Sequence, residues 1–275
     1  MNATEKTIDA KLILSILAAG IMSFSGVVVE TAMNVTFPTL MQEFGIGTST
    51  VQWITTGYLL VLASIIPASS YLKKRFPMKA LFLTAICLFI LGTVMAAAAP
   101  VFPILLTGRL IQGVGTGIAL PLMFNIVLEQ VPEERLGLMM GIASLITAMA
   151  PAVGPSLGGL IVSNWGWRMI FVALLPLLLL SLLFGAFSIR QVTATQRATF
   201  QTGEYLLLVL GFACLIFATS LASGSGWTSA PVLLLFLASL LALALFCRCS
   251  LRARPGRLCP RPGVPRSFCS SLCRS

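Results

Sequence analysis

The sequence predicts an all-α protein, a polytopic membrane helical bundle, and three observations carry that expectation. Of its 275 residues, 57% are hydrophobic and 9% charged, where a soluble domain needs about a quarter charged to cover its surface. Apolar runs of about 18–25 residues, the length a helix needs to cross hydrocarbon, recur along the chain. Basic residues cluster in alternate connections between those runs, which is the partition that sets membrane orientation.

Eight runs are visible, at roughly 12–33, 51–72, 79–98, 102–127, 138–163, 168–188, 205–223 and 230–247. The polar segment 1–11 precedes them. The first run is too long for a signal-peptide core and no small-residue cleavage site follows it, so it is expected to remain as a membrane helix. The first six runs group over 12–188, and the longest inner connection, 189–204, separates them from a pair over 205–247. A break after six helices is the organisation of transporters built from six-helix halves with three-plus-three repeats. With the amino terminus in the cytoplasm, the inside segments 1–11, 73–79, 128–137 and 189–204 hold nine Lys and Arg. The outside segments 34–50, 99–101, 164–167 and 224–229 hold none. The expectation is a multi-pass protein of the cell (plasma) membrane with a cytoplasmic amino terminus. Trp53, Trp165, Trp167 and Trp227 fall at the expected outer interface, where aromatic belts form.

A formal charge of +10 suggests nucleic acid at first sight, but residues 1–246 hold 11 basic and 8 acidic side chains, and the last 29 hold seven Arg and no acid. No nucleic-acid partner is expected. Histidine is absent, which excludes histidine catalysis and histidine metal sites. No nucleophile stands beside a base and no carboxylates pair inside the membrane, so no enzyme activity, cofactor or metal is expected. The tail 248–275 changes composition: from Cys247 onward lie five of the seven cysteines, seven Arg and four Pro. Three readings of it stand. They are a Cys-rich metal module, whose spacings match no common zinc pattern, a disordered basic tail on the inner leaflet, and off-frame translation, which is favoured.

Charges inside membrane helices are costly and mark function. Glu30, in GVVVETAMNVTFP, and Arg109, in LLTGRLIQGVGTG, are the intramembrane acid and base of residues 1–188. At about 1.5 Å per residue, Glu30 lies about 27 Å along the first run and Arg109 about 10 Å from the start of the fourth, both in the outer half. Those depths allow a pairing, direct or through Gln112 or a water. A carboxyl in a low-dielectric cavity holds its proton more tightly, and a neighbouring guanidinium loosens it. Such a pair can switch protonation as a cavity opens to either side, or it can be a static ion pair between two helices. Glycines are the second signal: Gly113, Gly115 and Gly117 follow Arg109, and PAVGPSLGG supplies Gly154, Gly158 and Gly159 with Pro151 and Pro155. Small residues let helices approach closely, and prolines bend them.

LLTGRLIQGVGTG resembles the motif of Arg, Gln and Gly repeats found in major facilitator transporters. AMAPAVGPSLGG resembles the Gly-Pro motif of that family's drug:proton antiporters, and WGWRMIF follows it as is common there. VVVETAMNVTFP resembles the acidic motif of the fourteen-helix branch, usually an Asp and here Glu30, and VQWITTGYLL fits the same branch. The motifs stand in order over about residues 12–246.

The resemblance implies a major-facilitator-type six-helix half plus two further helices, serving proton-coupled efflux of lipophilic drugs. It implies Glu30 and Arg109 as the proton-coupling acid and its partner. Asn34, Pro38, Gln112, Gly113, Gly117, Gly154, Pro155, Gly158 and Gly159 are implied as substrate-pathway or helix-packing positions, the last four forming an antiporter seam. Lys73, Lys74, Arg75 and Lys79 are implied as the cytoplasmic gate loop. That loop reads SYLKKRFPMK where the family has a Gly-x-x-x-Asp-Arg-x-Gly pattern. Ser70, Lys74 and Pro77 take the Gly, Asp and Gly places, and Lys74 cannot make the acid's contacts. The implied partners are the lipid bilayer, protons, a lipophilic small molecule, and a second chain supplying the other six-helix half. The alternative is a non-transporting membrane remnant.

Overall fold

A computed structural model describes residues 9–190, 202–227 and 229–252. Among the described residues the elements are all helices: α1 (Ala10–Val35), α2 (Phe37–Phe44), α3 (Thr48–Val51), α4 (Trp53–Arg75), α5 (Met78–Ala97), α6 (Phe102–Gln130), α7 (Glu133–Trp165), α8 (Arg168–Ser188), α9 (Thr202–Ser225) and α10 (Ala230–Arg252). Eight spans, with α3 and α4 counted as one, are long and apolar enough to cross a membrane. In hydrocarbon every backbone N–H and C=O must be satisfied within the segment, which is why apolar runs of this length become helices. The spans exceed the apolar runs at several ends. The run at 138–163, for instance, becomes Glu133–Trp165, because Glu133 and Glu134 favour the positive end of the helix dipole.

The chain divides into two compact units, Met1–Phe200 and Gln201–Ser275. In the first unit, prolines mark the helix starts, where a missing N–H costs nothing. Pro77 and Pro132 cap α5 and α7, and Pro103 lies in the first turn of α6. α1 and α6 form the centre. Burial takes 67% and 61% of their apolar windows, against 11% for α7. α1 packs on α6, α7 and α8, and α6 packs on α4 and α5. The α5–α6 contact is backbone to backbone. A Cβ on Gly92 would sit 2.5 Å from the Gly108 carbonyl oxygen, and one on Gly115 would sit 2.7 Å from that of Ala85. Ser181 of α8 donates a buried hydrogen bond to the Ala18 carbonyl of α1 at 2.7 Å.

Two expectations are corrected here. The connection 34–50, expected as plain polar loop, carries α2 and α3, and Leu40 of α2 is fully buried. Gly45 ends α2 at φ 63, a left-handed conformation that costs glycine nothing. Trp167, expected in an aromatic belt, is 2% exposed and belongs to the core, whereas Trp165 is 65% exposed. The buried ring is the one that finds a carboxylate for its N–H.

In the second unit α9 and α10 form a hairpin. Ser239 of α10 donates to the Gly211 carbonyl of α9 at 2.9 Å, and Trp227 stacks on Phe236 with centroids 6.2 Å apart. Of the segment 248–275, only 248–252 at the end of α10 are described, so the three readings of the tail concern residues outside the described ones.

Candidate functional site

α6 carries Arg109, Gln112 and Thr116 on successive turns of one face. Arg109 is fully buried. Its Nη1 donates to Gln112 Oε1 at 2.7 Å, and Gln112 Nε2 donates to Thr93 Oγ1 of α5 at 2.8 Å. The Thr93 hydroxyl passes its own proton to the Phe89 carbonyl at 2.7 Å. On the other side, the guanidinium carbon lies 4.2 Å from the ring centroid of Tyr58 on α4. Among the described residues, Nε and Nη2 have no hydrogen-bond partner. A guanidinium has five N–H donors and buried donors are normally paired, so this cation is held short of satisfaction at membrane depth, where that is expensive.

The same cluster touches α1. Tyr58 Oη lies 3.1 Å from the Gly26 carbonyl oxygen and 2.9 Å from Thr116 Oγ1. Thr116 in turn donates to the Gln112 carbonyl at 3.1 Å. A Cβ on Gly26 would stand 2.6 Å from Thr116 Oγ1, so only glycine admits this approach of α1 to α6. Glu30 lies one turn beyond Gly26. Its side chain is half-buried. Among the described residues it makes no hydrogen bond and no ion pair within 4.0 Å. The direct Glu30–Arg109 pair is therefore not formed. Gln112 binds the guanidinium, and Arg109 acts on Glu30 only through space.

Two of the expected seam glycines press α7 onto α1. A Cβ on Gly158 would fall 2.9 Å from Ala32 Cβ, and one on Gly154 would fall 3.0 Å from the Val28 carbonyl and into the Thr31 hydroxyl. Gly159 is looser, with Val35 at 4.0 Å, and Pro155 is exposed. Gly113 and Gly117 instead admit α4: added Cβ atoms would meet the Tyr58 carbonyl at 3.1 Å and Ile65 Cβ at 2.8 Å. Asn34 is exposed and accepts from Thr55 Oγ1 at 3.0 Å, and Pro38 is exposed in the first turn of α2. Of the four basic loop residues, Lys73 bonds Asn125 at 3.0 Å and pairs with Glu129, both on α6. Lys74, Arg75 and Lys79 are exposed.

The sequence reading passed over Tyr58, Thr93, Thr116 and Gly26, which complete the polar cluster. Each looks like ordinary packing in an apolar helix, and the one available signal was Tyr58 within VQWITTGYLL. It also passed over a second site at the opposite end of the helices from Lys73. Glu43 of α2 accepts from Trp167 Nε1 at 2.6 Å and from Arg168 Nη1 at 2.7 Å. Arg168 Nη2 donates to the Ala99 carbonyl at 3.0 Å, and its guanidinium lies 4.3 Å from the Trp167 ring centroid. Phe44 meets Trp167 edge-on at 6.0 Å. The indole hydrogen bond holds the Glu43 carboxyl below its usual range; burial opposes it, and the hydrogen bond and charge of Arg168 add to the lowering. These contacts tie three connections together: α1–α4, α5–α6 and α7–α8. Among the described residues no three His, Cys, Asp or Glu side chains gather as a metal site would need.

Residues 16–247 match the profile of the Major Facilitator Superfamily. The lincomycin resistance protein LmrB of Listeria monocytogenes is 43% identical over 235 residues, which cover 86% of this chain and 49% of that protein. The multidrug resistance protein B homolog of Mycobacterium tuberculosis is 32% identical over 196 residues, covering 71% of this chain and 36% of its own. A solved peptide transporter POT in complex with sulfate superposes with a TM-score of 0.61 at 12% identity, over 90% of this chain and 54% of that one, a likeness of fold alone. The chain spans about half the length of the curated relatives it matches. With eight apolar spans and this profile over residues 16–247, the chain is a multi-pass membrane protein that belongs to the Major Facilitator Superfamily, a family of transporters and not of enzymes.

Proposed function

We propose that this chain is the amino-terminal part of a proton-coupled exporter of lipophilic drugs, seated in the plasma membrane with its amino terminus in the cytoplasm. The observation that carries the reading is the unbonded, half-buried Glu30 carboxyl beside a fully buried guanidinium with two unpartnered nitrogens. A carboxyl so placed is held at little cost while it carries its proton, and attracts the guanidinium when it gives that proton up. Proton binding thereby changes the force between α1 and α6, and the glycine seam of α7 on α1 lies next to that contact. The relatives named for resistance to lincomycin and to multiple drugs support an exported antibiotic-like substrate. In transporters of this build, substrate binds at the interface between halves. A second half at such an interface would find apolar surface on α7, of whose window only 11% is buried.

The test is efflux of a lipophilic fluorescent dye from energised cells. One set expresses the 275-residue chain alone, and another co-expresses the carboxy-terminal half of the Listeria monocytogenes relative. Efflux is expected only in the second set, and is expected to vanish with an uncoupler or with Glu30→Gln. Efflux that survives the uncoupler removes proton coupling from the reading. No efflux in either set, with both halves in the membrane, leaves the chain a non-transporting remnant.

A further inference from the structure

We infer that Tyr58 is a positioning residue for Glu30 and Arg109, fixing the gap between the acid and the cation. The inference rests on the proposed role of that pair, and it names a residue whose contacts set the pair's chemistry.

Tyr58 touches both the cation and the α1 backbone one turn from the acid. Its ring face holds the Arg109 guanidinium at 4.2 Å, an attraction that grows in a desolvated site. Its hydroxyl bridges the Gly26 carbonyl of α1 and Thr116 of α6. By the helical pattern, the Gly26 carbonyl is also the acceptor of Glu30's own amide, so the hydroxyl is anchored one turn from the acid. Fastened at the hydroxyl and fully buried, the ring cannot swing aside. Gly113 lets the Tyr58 backbone lie directly on α6. The guanidinium is thus drawn toward Tyr58 and Gln112, and stays out of contact with Glu30. The titratable groups that act on Arg109 are Tyr58 from α4 and Glu30 from α1, and α5 brings the neutral Thr93 to Gln112. With the ring removed, the arginine's flexible stem lets the guanidinium move toward Glu30, the anion that acts on it. A cation in contact keeps a carboxyl ionised to lower pH.

The experiment titrates the 275-residue chain itself in liposomes, following the infrared carbonyl band of protonated carboxyl groups against pH. Subtracting the Glu30→Gln spectrum isolates the Glu30 band. In Tyr58→Leu the midpoint is expected to fall by about one pH unit. In Tyr58→Phe, which keeps the ring, it is expected to stay where it is. An unshifted midpoint in Tyr58→Leu overturns the inference, and so does an equal fall in Tyr58→Phe. Should Tyr58→Leu not insert, Tyr58→Met takes its place, and the Phe arm still decides against the inference if its midpoint falls. A side chain that only packed would leave the midpoint alone. Because the titration needs no transport, dye export that ignores Glu30 would sink proton coupling without touching this result.

Discussion

Two arginines in this chain stack on aromatic rings at nearly the same distance, Arg109 at 4.2 Å from Tyr58 and Arg168 at 4.3 Å from Trp167, and their surroundings differ in every other respect. The Arg168 side chain is 41% exposed and has its carboxylate, Glu43, at 2.7 Å. Arg109 is fully buried and its carboxylate, Glu30, stands outside contact. Near the surface, water and a counterion complete whatever the ring leaves undone, so the contact fastens loops at low cost and low gain. At membrane depth no described side chain completes it. An incompletely paired charge there is sensitive to any movement of its neighbours, which suits a switch and would serve a fastener badly.

The comparison breaks most easily at Arg109. Arg109→Ala removes the donor to Gln112 and the charge that Glu30 senses, and is expected to cost about 3 kcal/mol of stability, the scale of truncating a large buried side chain and leaving a buried acceptor unpaired. Thermal unfolding of the chain in detergent measures it, and a loss no larger than that of Arg168→Ala would erase the distinction drawn above. Gly26→Ala comes next. Its Cβ would overlap Thr116, and such overpacking costs about 1–3 kcal/mol. In the same assay it is expected to be rescued in part by Thr116→Ser, which removes the overlapping methyl. Arg168→Ala should cost less than about 1 kcal/mol, as exposed ion pairs do.

The smallest effect sharpens the comparison through pH. Folding lowers the proton affinity of Glu43. The contacts to Trp167 and Arg168 therefore add stability above the ordinary glutamate range near 4.3, and lose it as pH falls through the lower folded value. The unfolding midpoint is expected to decline slightly more steeply from about pH 5 to about pH 3 in the native chain than in Glu43→Gln. Equal slopes would mean that the carboxylate does not fasten the connections.

How much was readable in advance follows from the range of the forces involved. Each span was legible because an apolar run of membrane length satisfies its backbone within itself, a local property of consecutive residues. Glu30 and Arg109 stood out because a charge is conspicuous in an apolar run. α2 did not, since the eight residues FPTLMQEF, with a proline, a threonine and a Gln-Glu pair among the apolar ones, look like loop until Leu40 finds a core. Trp165 and Trp167 are two residues apart and carry the same ring, yet only Trp167 is buried, because Glu43 from a distant connection meets its N–H. Tyr58 stood inside the motif VQWITTGYLL, but its contacts with Arg109 and α1 join residues far apart in the chain.

The sequence by itself determined the spans, the places of the membrane charges and the family, because helix formation in a bilayer depends on neighbours along the chain. Only the tertiary structure decided which partner each charge takes. Arg109 could have met Glu30, but close approaches through Gly26, Gly92, Gly113 and Gly115 bring α1, α4 and α5 onto α6 at separations that favour Gln112 and Tyr58. Those separations arise between residues tens of positions apart, and hydrogen bonds and ring contacts are won or lost over less than an ångström.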